Sequence, residues 1–201
     1  MKVLVIIGHQ QQGSFNHAIA QTVVEELRAA GHEVVYHDLY AERFDPILPA
    51  HEIPNDAEID PVVRRHCDEV LAADGYVIVH PNWWGMPPAI LKGWIDRVLR
   101  MEIAYRFVAN DKGEGVPVGL LKARAAVVFN TANTPGDREK DWFGDPLEIL
   151  WKKCVFDLCG VKNVQRRTFT VVITSTPEQR AGWLKEVRQI VASHFPAAAS
   201  L

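Results

Sequence analysis

The stretch KVLVIIGHQQQGSFNHAIAQTVVEELRAAG, residues 2–31, decides how the rest of the chain is read. From Val3 to Gly8 it is apolar without alternation and rich in β-branched residues. Such a run reads as a parallel strand buried on both faces. After a short polar loop, Phe15, Ile19, Val23 and Leu27 recur every four residues, which is one stripe of a helix. Gly31 follows at the position where a left-handed residue closes a helix.

The same alternation runs on. Glu33 to Asp38 reads as a second strand, and Phe44 to Asn55, with prolines at 46, 49 and 54, as a loop. Asp60-Pro61 opens the next helix, the Asp as cap and the Pro in the first turn. Ala73-Asp74-Gly75 ends it, and Tyr76 to His80 is a third buried strand. Leu91, Trp94, Ile95, Val98 and Leu99 form a third helical stripe, with Trp94 in the core. Asn110 to Gly119 is rich in glycine and charge and reads as a surface loop. Ala123 to Asn130 is a fourth strand, and Pro146 to Leu158 a helix closed by Cys159-Gly160. Asn163 to Thr174 contains a fifth strand, and Trp183, Leu184, Val187, Ile190 and Val191 mark the last helix. Residues 195–201 read as a frayed tail. Five alternations of strand and helix argue an α/β fold, with a parallel sheet covered on both faces. No second domain or repeat is visible, so residues 1–201 read as one domain.

Composition narrows the function. The 201 residues are 48% hydrophobic and 23% charged, which excludes intrinsic disorder and a disulfide-dense scaffold. A formal net charge of −3 gives no electrostatic grip on nucleic acid or anionic membrane. No apolar run reaches the ~18 residues of a membrane-spanning helix. The N-terminal apolar stretch is too short for a signal sequence and lacks a cleavage site. Three cysteines, Cys67, Cys154 and Cys159, suit a reducing compartment, and the expected location is the cytoplasm. Cys154 and Cys159 read as buried thiols. The eight histidines show no i, i+4 pair on one helix, so no metal site is expected.

In such sheets ligands sit beyond the carboxyl ends of the strands. The loop after the first strand, GHQQQGSFNHA, is neither G-x-G-x-x-G nor a Walker loop. It offers Ser14 and Asn16 at a helix start, which suits either an anion cradle or plain N-capping. After the third strand, Trp83 and Trp84 stand adjacent in a Pro/Gly-rich loop. They suit a wall for a planar ring, or a packed loop or subunit contact. After the fourth strand, Asn130, Thr131, Ala132 and Asn133 are small and polar, open to a ligand edge or simply a capped turn. Asp137 to Asp141 reads as a solvated loop.

These loops carry a resemblance. The residues are His9 with Gly13-Ser14-Phe15-Asn16, Asp38-Leu39-Tyr40, Phe44-Asp45-Pro46, and above all WWGMPPAILKGWIDRV from Trp83 to Val98. Ala104-Tyr105, Gly144-Asp145 and Leu158-Cys159-Gly160 extend it over nearly the whole chain. The chain resembles the flavodoxin-like NAD(P)H:quinone oxidoreductases, the DT-diaphorase group and its small bacterial relatives. The resemblance implies a doubly wound five-stranded parallel sheet of order 2-1-3-4-5, a bound flavin and a homodimer. It assigns His9, Ser14, Phe15 and Asn16 to the flavin phosphate and its surroundings. Pro81, Asn82, Trp83 and Trp84 flank the ring, and Thr131, Ala132 and Asn133 touch its polar edge. Arg180, expected in the loop after the fifth strand, would reach the adenosine part of FAD, which is favoured over FMN. Trp84, Tyr105 and Phe107 would form the substrate site, the latter two across the subunit interface. The implied reaction is ping-pong hydride transfer from NAD(P)H to a quinone or similar planar acceptor. One departure stands out: Phe143 occupies the place of a histidine thought to assist hydride transfer in mammalian relatives. No catalytic side chain is therefore assigned. The alternatives are a regulatory subunit of a potassium efflux system, a flavodoxin-type electron carrier and a flavin-free binding protein.

Overall fold

The computed structural model describes residues 1–197. Strand β1 (Lys2–Ile7) leads into helix α1 (Phe15–Ala29), and β2 (Glu33–Asp38) follows. Helix α2 (Pro61–Ala72), β3 (Gly75–Pro81) and α3 (Ala89–Val98) come next. After a hairpin of β4 (Tyr105–Ala109) and β5 (Gly115–Gly119) stands β6 (Ala125–Thr131). The chain closes with short helices α4 (Gly136–Asp141) and α5 (Pro146–Ile149), β7 (Val164–Phe169) and α6 (Pro177–His194). The main sheet runs β2-β1-β3-β6-β7 with every pairing parallel. Counted within the sheet this is the expected order 2-1-3-4-5.

Side chains of a strand alternate between faces, and the two core layers follow that rule. Val3, Val5 and Ile7 pack with Ile19, Val23 and Leu27 of α1 and with Val187 and Val191 of α6. Leu4 and Ile6 face the other way, onto Val63 and Val70 of α2 and Leu91, Trp94 and Val98 of α3. Each fully buried aliphatic side chain contributes roughly 1.5–3 kcal/mol. Helix α1 ends as the glycine suggested. Gly31 has φ +78°, with Gly31 N–H on Arg28 O and His32 N–H on Leu27 O, a Schellman closure. Asp60 caps α2 through Val62 N–H, with Pro61 at the first position.

Several expectations need correction. Residues 110–119 are not all loop: only the tip is, and Gly115–Gly119 pairs antiparallel with Tyr105–Ala109. Turn composition at 110–114 masked the alternating Val116 and Val118, while Pro117 is tolerated because the ribbon has only edge strands. Asp137 to Asp141 is solvated but helical, within α4. The helix from Pro146 continues as a π-helical segment over Leu150–Asp157. The 44–55 loop is tied down by Arg97 of α3, which donates to Glu52 Oε1 at 2.7 Å, Glu52 Oε2 at 3.2 Å and Asp45 O at 2.8 Å. Phe195 is core rather than tail: it is 1% exposed, packed in the α1–α6 layer, and its carbonyl meets His32 Nε2. The rest of that expected tail from 198 on lies outside the described residues. Cys154 is exposed, whereas Cys67 and Cys159 are buried.

Candidate functional site

Where β1, β3 and β6 end, their loops surround a cavity of about 490 Å³. The first loop and helix start supply His9, Ser14, Phe15 and Asn16 to its wall. The β3 end supplies Pro81, Asn82 and Trp83, and the β6 end Thr131, Ala132 and Asn133. Arg180 also lines it, but from the first turns of α6 rather than from a loop. Trp84 turns instead into an adjoining cavity of about 380 Å³, together with Phe143, Glu139 and Pro146. Asn82 and Thr134 border both cavities. Tyr105 and Phe107 sit on the β4–β5 hairpin, edge to face at 5.7 Å, and line neither cavity of this chain.

Local geometry explains these placements. Ser14 is the N-cap of α1, its Oγ accepting from His17 N–H. The N–H groups of Phe15 and Asn16, in the first turn, have no acceptor within the helix. Asn16 is 3% exposed; its Nδ2 donates to Thr131 Oγ1 at 2.8 Å, while its Oδ1 is buried without a partner among the described residues. The capping reading of Ser14 is thus correct, and the groups beside it are left available to a ligand.

Trp83 and Met86 exchange backbone hydrogen bonds at 3.0 and 2.9 Å around a two-residue turn. Both central residues are left-handed, Trp84 at φ +56° and Gly85 at +71°. That is the geometry of a type I′ turn. Gly85 is required twice over: besides its φ, a Cβ there would stand 2.5 Å from Pro146 Cγ. Asn82 Oδ1 accepts from Gly85 N–H at 3.0 Å and holds the turn. Trp84 is fully exposed, and a bulky residue in the left-handed region carries a real conformational cost. A packing role does not account for it. The N–H groups of Trp84 and Asn133 meet no acceptor among the described residues.

Beneath the turn, His80 is completely buried. Its Nε2 faces Trp151 Nε1 at 2.9 Å and Asn130 Nδ2 at 2.8 Å, and its Nδ1 faces Pro81 O at 2.8 Å. The neutral tautomer with the proton on Nδ1 donates to Pro81 O, and the two donors share the single lone pair of Nε2. Burial pushes its pKa down to about 4, opposed by the Pro81 bond. Arg166 continues the network from Asn130 to Asp145 and Glu148.

The chain matches a family described as having a flavodoxin-like fold over residues 1–193. It belongs to that family. An uncharacterized NAD(P)H oxidoreductase of Haemophilus influenzae is 35% identical over 173 residues, 84% of this chain and 83% of that protein. Rat NAD(P)H dehydrogenase [quinone] 1 is 27% identical over 94% of this chain and 77% of its own length. The crystal structure of a Streptococcus mutans protein, Smu.1420, superposes with a TM-score of 0.82 at 30% identity, covering 96% of this chain and 100% of that one. The resemblance to flavodoxin-like NAD(P)H:quinone oxidoreductases therefore holds.

Several residues at the site were not singled out by sequence. Gln11 and Thr134 share loops with expected residues, so proximity in sequence could have found them. Val172 and Ile173 are aliphatic residues after β7 and carry no chemical signal. His17 and Asp38 lie behind Ser14, and only the fold joins them. Outside the cavities, His37, Glu42 and His66 bring ligating atoms within 4.8 Å of one another. Spacing along the chain gives no hint of this cluster, because β2, its following loop and α2 contribute one residue each. It is not built for a metal. The Trp94 indole N–H points at His66 Nδ1 from 3.2 Å, where a metal on Nε2 would require a proton. Both nitrogens of His37 are held by Glu42 and Glu69.

Proposed function

We propose that this protein is a cytoplasmic, flavin-dependent NAD(P)H oxidoreductase that reduces quinones or similar planar acceptors. The observation that carries the reading is the pair of adjoining cavities at the carboxyl edge of the sheet, with Asn82 and Thr134 between them and Trp84 held left-handed and exposed at the second. The main cavity fits a flavin. First-turn N–H groups and Ser14 suit its phosphate, the unmet Asn16 Oδ1 suits a ribityl hydroxyl, and the free Asn133 N–H suits a ring acceptor. FAD rather than FMN is our preferred occupant, because Arg180 extends the wall on the α6 side. Bound there, a flavin would supply hydride-transfer chemistry between NAD(P)H and the acceptor.

The chain itself positions and shields. Trp84 and Phe143 offer apolar surface in one cavity, which nicotinamide and quinone would occupy in turn. Alternate occupancy gives ping-pong kinetics. Phe143 holds no transferable proton, so it supplies none to the hydroquinone. Exposed Phe107, Val108 and Val116 on the hairpin are apolar area that a second subunit would cover. In the resulting homodimer Tyr105 and Phe107 would close the partner's site.

The test is the visible spectrum of the purified protein under anaerobic conditions. A flavin spectrum that bleaches with NADPH or NADH and recovers with a quinone is expected, with parallel double-reciprocal lines in steady state. A flavin spectrum indifferent to both nicotinamides would overturn the oxidoreductase reading, and no flavin after reconstitution would overturn the cofactor as well.

A further inference from the structure

Behind the phosphate end of the main cavity, Ser14, His17 and Asp38 form a chain of hydrogen bonds. Asp38 is 7% exposed, and its carboxylate meets four donors. Oδ1 accepts from the N–H groups of Tyr40 and Ala41 at 3.1 Å each. Oδ2 accepts from Gln12 Nε2 at 2.7 Å and stands 3.1 Å from His17 Nε2. Burial would raise the Asp38 pKa, but these donors outweigh it and hold the group below its ordinary value. An anion with only acceptor atoms fixes the neighbouring proton: His17 Nε2 is a donor. The other ring nitrogen, Nδ1, lies 2.8 Å from Ser14 Oγ.

That distance allows one hydrogen between Nδ1 and Oγ, and two places for it to start. With His17 neutral, the Ser14 hydroxyl donates to Nδ1, and Oγ turns only lone pairs toward the cavity. Lone pairs repel an anion. For Ser14 to donate to a phosphate, its hydrogen must swing away from Nδ1. Two lone pairs would then face each other across 2.8 Å unless Nδ1 gains a proton. A protonated Nδ1 donates to Oγ, frees the hydroxyl for the phosphate and adds a positive charge behind it.

Resting on the flavin reading above, we infer that His17 is a positioning residue for the cofactor phosphate, and that binding of the phosphate is coupled to uptake of one proton on His17 Nδ1. The proton balance is simple: an N–H bond forms at His17 Nδ1, and the bond that held that proton in the buffer acid breaks, leaving the conjugate base in solution. Asn16, which lines the same cavity with its Oδ1 buried and unmatched, points independently to a ligand at this end. The other titratable group facing His17 is His9, whose ring stands edge-on at 5.9 Å from the first loop. Burial above all lowers the His9 pKa, and its Nδ1 stands 3.1 Å from Gln11 N and 3.3 Å from Gln11 O.

The experiment counts protons. Flavin is stripped from the full chain, and FAD, FMN and riboflavin are titrated in by calorimetry at pH 8, in two buffers of different ionisation enthalpy. Uptake approaching one proton with FAD or FMN, and none with riboflavin, is expected. It should vanish in both Ser14→Ala and His17→Gln, with the nucleotide still bound more weakly. Nucleotide binding without proton uptake would overturn the coupling and leave the flavin reading intact. Uptake that persists in His17→Gln would also overturn it, assigning the proton to His9. Failure of all three flavins to bind would remove the flavin reading and this inference together.

Discussion

The imidazole rings of His37 and His66 lie 4.1 Å apart, centre to centre, and their surroundings push them in opposite directions. Burial alone would lower the pKa of His37, but the carboxylates of Glu42 and Glu69, at 2.8 and 2.7 Å, overcome it and raise the value above 6.5. His66 is driven down to about 3, first by burial and then by the charges of His37 and Arg65. The contact is thus an imidazolium against a neutral imidazole, joining β2 to α2.

The consequence is a stability optimum with two flanks. His66 and His80 have folded pKa values below the unfolded 6.5, so their contribution is present above 6.5 and lost as pH falls below it. His37 has a raised value, so its contribution is present below 6.5 and lost as pH climbs through the folded pKa. Melting temperatures measured from pH 4 to 9 should drop by several degrees on the acid side, where two histidines act, and more gently on the alkaline side. A His66→Gln variant should show a flatter acid flank. A profile unchanged by that substitution would show that His66 is not the source.

Trp84 separates function from folding. Because it is fully exposed and left-handed at φ +56°, its removal uncovers nothing. Trp84→Ala should leave the melting temperature within about 1 °C, as surface changes stay within about ±0.5 kcal/mol. Trp84→Gly should stabilise by up to about 1 kcal/mol through relief of the left-handed strain. In both, the KM for a quinone should rise by about tenfold, the scale of one lost aromatic contact. Comparing Tm with KM in the two variants checks this; a large loss of Tm would mark Trp84 as structural.

Glu52 is 1% exposed and Arg97 4%. Burial works to raise the Glu52 pKa, but the Arg97 guanidinium holds it below its ordinary value. Glu52→Ala leaves buried Arg97 with only the exposed Asp45 carboxylate, 3.7 Å away, as counter-charge, a loss of about 3 kcal/mol. For a chain of this size that corresponds to a fall in Tm of about 10 °C, readable by differential scanning calorimetry. A loss below about 1 kcal/mol would mean that solvent reaches Arg97 when the partner is removed.

The three cysteines should divide by burial. Cys67 and Cys159 are enclosed, and burial lifts both thiols to about 11. Cys154 is exposed on the π-helical segment. A disulfide reagent should therefore titrate one thiol in the native protein and three in denaturant. Rapid reaction of more than one native thiol would contradict the packing around α3 and β5.

Much of the site was legible because its groups cluster in sequence where strands end. His9 with Ser14 to Asn16, Pro81 to Trp83 and Thr131 to Asn133 each follow a recognisable buried strand, and parallel strands carry their carboxyl ends to one edge. The hairpin was not legible, since five-residue strands around a charged turn carry too little periodicity to outweigh their glycines. Phe195 was missed because a proline-and-alanine terminus looks unpacked, while its ring fills the space beside Gly75.

By itself the sequence determined the alternation of the five sheet strands with their principal helices, the parallel sheet and the identity of the loops at its carboxyl edge. Those properties follow from local periodicity and from handedness rules that hold for any such chain. The tertiary structure alone decided which hydrogens and charges meet. Ser14 and His17 find Asp38 across 21 residues from the histidine, His37 finds Glu69 across 32, and Trp84 turns out of the main cavity into the next. Hydrogen bonds and ion pairs depend on distances of a few tenths of an ångström between segments remote in sequence. No local pattern encodes such distances before the layers pack.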